Sequence, residues 1–176
     1  MALNRNLVVL VNSQDEETGT AGKLEAHLQG LLHRALSVFI TNGNGEMLLQ
    51  RRAAGKYHSS GLWSNACCSH PCPGESPLDA ASRRLNEELG FEAELQPIGT
   101  WYYEAEVGNG LTEHEFDHLF TGSWDGTPTP DPEEASETAW VDLEELRARL
   151  KKHPEQFTAW FPQIFEVWTR RHLERV

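Results

Sequence analysis

"SPLDAASRRLNEELGF", residues 76–91, carries a full set of helix boundary signals and stands between two runs of strand character. Ser76 can cap the first turn, Pro77 suits the first helical position, Asp79 lies three residues after the cap, and Gly90 supplies the stop. On its N-terminal side, "RALSVFITNGNGEMLLQRR" (residues 34–52) places two apolar runs about Asn-Gly-Asn-Gly, a turn able to adopt positive φ, and predicts a hairpin. On its C-terminal side, "WYYEAEVGNGLTEHEFDHLFTGSW" (residues 101–124) repeats the pattern about Gly108-Asn109-Gly110. Farther out, "LVVLVN" reads as a first strand and "AWV" (residues 139–141) as a short one after a Pro- and acid-rich connection. A helix is expected near residues 143–151, and beyond Pro154 a last helix with Trp160, Phe161, Ile164, Phe165, Val167 and Trp168 as its apolar positions. Helices alternating with hairpins predict an α/β (α+β) fold, a mixed sheet covered by helices on its faces, with residues 1–176 as one domain.

A formal charge of −12 argues against a nucleic-acid or anionic-membrane surface, since either needs clustered Lys and Arg facing the polyanion. An anionic small molecule would need local cations or metal. No apolar run reaches membrane-spanning length, and residues 1–10 lack the basic start and long apolar stretch of a signal peptide. Three cysteines, Cys67, Cys68 and Cys72, are an odd count at spacings too tight for a disulfide framework. A cytoplasmic protein is expected, a monomer with a dimer as the alternative.

Strand alternation in "EHEFD" projects Glu113 and Glu115 to one face and His114 to the other. In an acidic chain such a pair is ordinarily a solvated face, yet two neighbouring carboxylates also repel unless a cation or proton lies between them. His27, His33 and His70 are each unremarkable alone; together with Glu113 and Glu115 they would make a shell of three nitrogens and two oxygens, suited to Zn2+, Mn2+ or Fe2+. Lys23, Arg52, Lys56 and Arg84 fall close in sequence to the same elements, and Arg51 must face away from Arg52 on a strand.

The helix also resembles the Nudix box, the glutamate-rich signature of enzymes that handle diphosphates through divalent metal, with Glu75, Arg83, Leu85, Glu87, Glu88, Gly90 and Phe91 at its offsets. Two positions depart: Ser69 stands for the opening glycine and Arg84 for an acid, which trades a metal ligand for a phosphate donor. With "GKLEAHLQGLLHRALSVFI", "LLQRRAAGKYHSSGLWSNACCSHP", the "EHE" strand and "FTAWFPQ" in the same order, the chain is similar to the type I isopentenyl-diphosphate isomerases from about residue 7 to residue 168.

This resemblance implies an enzyme of isoprenoid biosynthesis that moves a double bond between isopentenyl and dimethylallyl diphosphate. It implies a first metal, Mn2+ or Zn2+, on His27, His33, His70, Glu113 and Glu115. A second ion, Mg2+, would come with the substrate diphosphate onto Glu88 and the backbone of Cys68. Cys68 and Glu115 become the catalytic pair, with Glu115 as the acid backed by Tyr103 and Cys68 on the opposite face, its pKa expected to be lowered by cations or metal. Trp160 would cover the carbocation, and Lys23, Arg52, Lys56 and Arg84 would clamp the diphosphate. His114, where the family commonly has Asn, points to the other face and is expected to be without catalytic consequence. Two alternatives are a nucleotide pyrophosphohydrolase using Glu75, Arg83, Glu87 and Glu88, and a zinc-binding module on Cys67, Cys68, His70 and Cys72.

Overall fold

In the computed structural model, which describes residues 3–173, the elements run β1 Leu7–Val11, β2 Glu17–Gly22, α1 Lys23–Gln29, β3 His33–Thr41, β4 Glu46–Arg52, β5 Trp63–Asn65 and β6 Cys67–Ser69. They continue as α2 Pro77–Leu89, β7 Gln96–Gly108, β8 Leu111–Ser123, β9 Ala135–Asp142, α3 Leu143–Lys152, a 3-10 turn Pro154–Gln156, and α4 Phe161–Leu173. The ends of the expected single domain, residues 1–2 and 174–176, lie outside the described residues.

α2 forms as its boundary residues dictate. Ser76 Oγ accepts from Asp79 N at 3.1 Å and donates to the Asp79 carboxylate at 2.7 Å, while Gly90 adopts φ 74° and closes the last turn onto Asn86 O. A side chain at Gly90 would place its Cβ 2.8 Å from the carbonyl of Thr129, so the stop is also a close approach. Its buried face, Ala80, Ala81, Leu85 and Leu89, packs on Leu36, Val38, Ile40 and Leu48. The opposite face of the sheet, including Phe39, Met47 and Leu49, meets α4 through Phe161, Ile164, Phe165 and Trp168. Because helices cover both sides, β3 is a nearly continuous buried run and not an alternating one.

The β7–β8 hairpin forms over its full length, from Gln96↔Thr121 to Gly108↔Leu111. The hairpin expected at residues 34–52 does not. Its turn is tight, with Asn42 Oδ1 accepting from Asn44 N and Glu46 N, but the strands pair only at Thr41↔Met47 before parting. β3 pairs instead with β8, in parallel from His33↔Glu115 to Thr41↔Ser123, and with β6; β4 pairs with β9 and β5. The turn determines where the chain reverses, and the burial of both sheet faces determines which strands become neighbours. The short strand expected at residues 139–141 is the end of the longer β9, and Trp160 sits one residue before α4, not inside it. The elements β2, α1, β5 and β6 carry no pattern that identified them beforehand.

Candidate active site

One end of the sheet opens into a cavity lined by Lys23, Ser37, Gln50, Arg52, Lys56, Tyr57, His58, Cys68, Ser69, His70, Arg84, Glu88, Tyr103, Glu113, Glu115, Glu134 and Trp160. His27 and His33, both fully buried, lie beside it, their rings 5.6 and 5.0 Å from that of His70. Every site residue expected from the sequence therefore reaches one region, although the chain delivers them from α1, five strands, two loops, α2 and the residue before α4.

The β8 alternation points Glu113, Glu115 and Asp117 inward and leaves His114 on the outer face, where it contacts Tyr102 Oη at 2.6 Å and donates to Gly30 O at 2.9 Å. Cross-strand register then flanks Glu115 with Tyr103 on β7 and His33 on β3. Tyr103 Oη lies 2.6 Å from Glu115 Oε2 and 2.9 Å from Glu113 Oε2; His70 Nε2 lies 3.0 Å and His33 Nε2 3.5 Å from Glu115 Oε1. Burial opposes charge on Glu115, but the His33 and His70 imidazoles beside it hold its pKa well below the usual carboxylate range in the metal-free protein. Burial and the neighbouring Glu115 push Glu113 the other way.

His27, His33, His70 and Glu115 bring one ligand atom each within 4.8 Å of one another. His27 and His33 both donate Nδ1–H to backbone carbonyls, Lys23 O and Leu31 O, each at 2.7 Å, which leaves Nε2 with its lone pair inward. His27 Nε2 is buried without a partner, and His33 Nε2 faces His70 Nε2 at 3.2 Å. Inward lone pairs, an orphaned nitrogen and a carboxylate fit a divalent cation. Glu113 falls in a separate cluster with His27 and His58, so the five expected ligands divide between two groups.

Cys68 Sγ donates to Asn65 Oδ1 at 3.0 Å and accepts from Trp160 Nε1 at 3.2 Å. Asn65 is held in turn by donating to Val38 O and Cys67 O. The cations of the cavity do not by themselves lower the Cys68 pKa: burial, followed by the Asp117 carboxylate, raises it to about 12 in the metal-free protein, and hydrogen bonding to Ser37, Trp160 and Ser64 offsets only part of that. Cys67 is fully buried, and Cys72 packs against Arg83 Nη2 at 3.7 Å. No cysteine belongs to a metal-ligating group among the described residues, which removes the cysteine zinc module.

The four expected diphosphate cations differ in their partners. Arg84 reaches Glu87 at 2.7 Å, Glu88 at 2.8 Å and Glu134 at 3.0 Å, and Lys56 pairs with the other oxygen of Glu134. Arg52 stacks over Trp160, 5.5 Å from the ring, and Lys23 over Tyr57 at 5.8 Å; neither forms an ion pair among the described residues. Burial lowers the Lys23 pKa, with Lys56 and Arg84 adding to the effect. Arg51 faces out toward Glu137, as strand alternation requires. Glu88 is almost fully buried, one oxygen taken by Arg84 and the other by Gln50 at 2.8 Å. The remaining Nudix-box carboxylates are engaged as well: Glu75 with Arg83 at 2.7 and 2.8 Å, and Glu87 with Arg5, Arg83 and Arg84.

Sequence reasoning passed over His58, Glu134, Asn65 and Asp117. Only Asp117 left a signal, since it continues the alternation that selects Glu113 and Glu115. The other three stand in loops or a three-residue strand, where no periodicity assigns a face.

A NUDIX domain matches residues 31–161. The isopentenyl-diphosphate Delta-isomerase 2 of Aromatoleum aromaticum is 52% identical over 87% of this chain and 81% of its own length. The isopentenyl-diphosphate Delta-isomerase of Serratia proteamaculans is 48% identical over 96% of this chain and 94% of its own. Among solved structures, a protein of Deinococcus radiodurans superposes with a TM-score of 0.74 at 20% identity, covering 91% of this chain and 97% of that one. A MutT protein of Methanosarcina mazei gives 0.65 at 21% identity, covering 82% and 95%; at such identities the likeness concerns the fold. On the extent and identity of these matches, the chain belongs to the isopentenyl-diphosphate Delta-isomerase family, built on a NUDIX domain.

Proposed function

We propose that the protein interconverts isopentenyl and dimethylallyl diphosphate, with Cys68 and Glu115 exchanging protons with the hydrocarbon. The observation that carries this reading is their placement: both line one cavity, each held by its own hydrogen-bond set, and Lys23, Arg52, Lys56 and Arg84 line the same cavity. Moving the double bond adds a proton to the terminal alkene carbon and removes one from the allylic carbon. One group must therefore begin protonated and the other ionised. A thiol with a pKa of about 12 is a weak acid toward an alkene, so Glu115, made a stronger acid by a bound cation, is assigned as the donor and Cys68 as the group that exchanges the allylic proton on the opposite face. In the opposite direction the two exchange roles, with Tyr103 hydrogen-bonded to the carboxylate throughout.

Trp160 presents its ring to the cavity and its N–H to Cys68, so it can face the developing carbocation while orienting the sulfur. A desolvated cation–π contact contributes about 2 kcal/mol, which assists but does not dominate. The diphosphate falls to Lys23, Arg52, Lys56 and Arg84; an adjoining cavity shares Lys23, Ser69, Arg84 and Glu134 with the first and gives that end of the substrate room. A divalent ion on His27, His33, His70, Glu113 and Glu115, Mn2+ or Zn2+, would supply positive charge that strengthens Glu115 as an acid. Mg2+ arriving with the diphosphate would be held by Glu88 and the main chain of Cys68. The three cysteines are free thiols, which supports the cytoplasmic placement. Residues 1–176 are proposed to act as a single domain.

Pyrophosphohydrolysis is disfavoured, because Arg84 stands where the Nudix box has an acid and pairs with Glu87, Glu88 and Glu134. The test is incubation with isopentenyl diphosphate and Mg2+ in deuterated water. Deuterium is expected in the dimethylallyl product, and is expected to vanish with Cys68→Ala and with Glu115→Gln. Phosphate release from nucleoside diphosphate derivatives without isomerisation would refute the reading.

A further inference from the structure

The loop between β4 and β5 delivers an imidazole that the expected ligand set omits. His58 is only 5% exposed, and its ring stacks on that of His27 with centroids 5.6 Å apart and planes at 28°. Its Nδ1 lies 3.2 Å from Ser59 Oγ, its carbonyl accepts from Arg52 Nη2 at 3.3 Å, and Ser59 takes a left-handed conformation, φ 52°. These contacts leave Nε2 turned toward Glu113 Oε1, 3.5 Å away.

Three ligand atoms converge there. His27 offers Nε2, buried and without a partner, because its Nδ1 is committed to Lys23 O. Glu113 offers Oε1, because its Oε2 is engaged by Tyr103. His58 offers Nε2, and all three atoms lie within 4.8 Å of one another. A separation of 3.5 Å between His58 and Glu113 is long for a direct hydrogen bond. Two ligands each about 2.1 Å from a tetrahedral Zn2+ stand about 3.4 Å apart, so that spacing suits a cation between them.

We propose that His27, His58 and Glu113 form a second seat for a divalent cation, sharing His27 and Glu113 with the five-ligand seat that His33, His70 and Glu115 complete, so that one ion can occupy either of two positions. Sharing follows from His27 having a single nitrogen to give. Two imidazoles, one carboxylate and an open fourth position suit Zn2+ or a similar borderline ion. The inference rests on the metal-binding part of the proposed function, but its readout is metal binding and not turnover, so the two fail separately.

His70→Ala removes a ligand from the first seat alone. This variant, titrated with Co2+, is expected to bind one ion with the visible absorption of a four-coordinate site. Adding His58→Gln is expected to weaken that binding at least about tenfold. Co2+ binding equally tight in the double variant, or no Co2+ binding by His70→Ala at all, overturns the proposal. Anomalous scattering from His70→Ala crystals soaked in Zn2+ answers without altering His58: density at ligand distance from His58 Nε2 is expected, and density seated away from it overturns the proposal.

Discussion

Replacing Glu134 by glutamine should make the protein less stable and yet a better binder of diphosphate. The Glu134 carboxylate lies between Lys56 and Arg84, two of the four cations assigned to the substrate, and occupies space that a phosphate oxygen would compete for. Burial opposes its charge, but the hydrogen bond from Lys56 and the charges of Arg84 and Lys56 bring its pKa from 4.5 to about 2. That displacement is worth about 3 kcal/mol in full. The side chain is 22% exposed at the rim, so screening reduces the contribution to roughly 1–3 kcal/mol. Because the folded pKa is depressed, the stabilisation is present above pH 4.5 and is lost as pH falls through about 2. A diphosphate seated on the same cations meets the carboxylate as a like charge; at about 5 Å and an effective dielectric near 20 the repulsion is about 3 kcal/mol per charge pair before screening. Glu134→Gln should therefore lower the melting temperature by a few degrees at pH 7 and tighten inorganic pyrophosphate roughly five- to hundredfold. Calorimetric titration of metal-stripped wild-type and variant proteins with pyrophosphate provides the check. A glutamine variant that binds no more tightly would refute the idea that Glu134 holds the place of the substrate's charge.

Tyr103→Phe removes hydrogen bonding to a charged carboxylate, worth about 1.5–3 kcal/mol, and should lower kcat/KM roughly ten- to hundredfold. Steady-state kinetics should show the loss in kcat, since Tyr103 touches none of the diphosphate cations. Cys68, with its pKa at about 12, should alkylate with iodoacetamide far more slowly at pH 8 than a free thiol does, and the rate should keep rising through pH 10 without a plateau; a plateau below pH 9 would contradict the assigned environment. Ser76→Ala deletes the cap of α2 and should cost about 1 kcal/mol in urea denaturation, leaving activity at 25 °C unchanged.

Local chemistry made part of this molecule legible in advance. The cap and stop of α2, the Gly108-Asn109-Gly110 turn of the β7–β8 hairpin, and the alternation that brings Glu113 and Glu115 to one face all rest on contacts within a few residues, and each forms as read. The gathering of His27, His33, His70, Cys68 and the cations in one region was legible only through resemblance, because no spacing rule brings α1, β6 and β8 together.

The amino-acid sequence by itself determined where α2 begins and ends, where β7 turns into β8, and which side chains β8 turns inward, because dihedral preferences, caps and strand alternation act over short distances; β7 starts at Gln96, five residues before the expected hairpin. Tertiary structure alone decided that β3 leaves β4 for β8, that Cys68 sits among Asn65, Trp160 and Ser37, and that His58 and Glu134 face the cavity. Those outcomes depend on which buried faces and unpaired backbone groups find one another across the whole chain, a competition that no local stretch of residues contains.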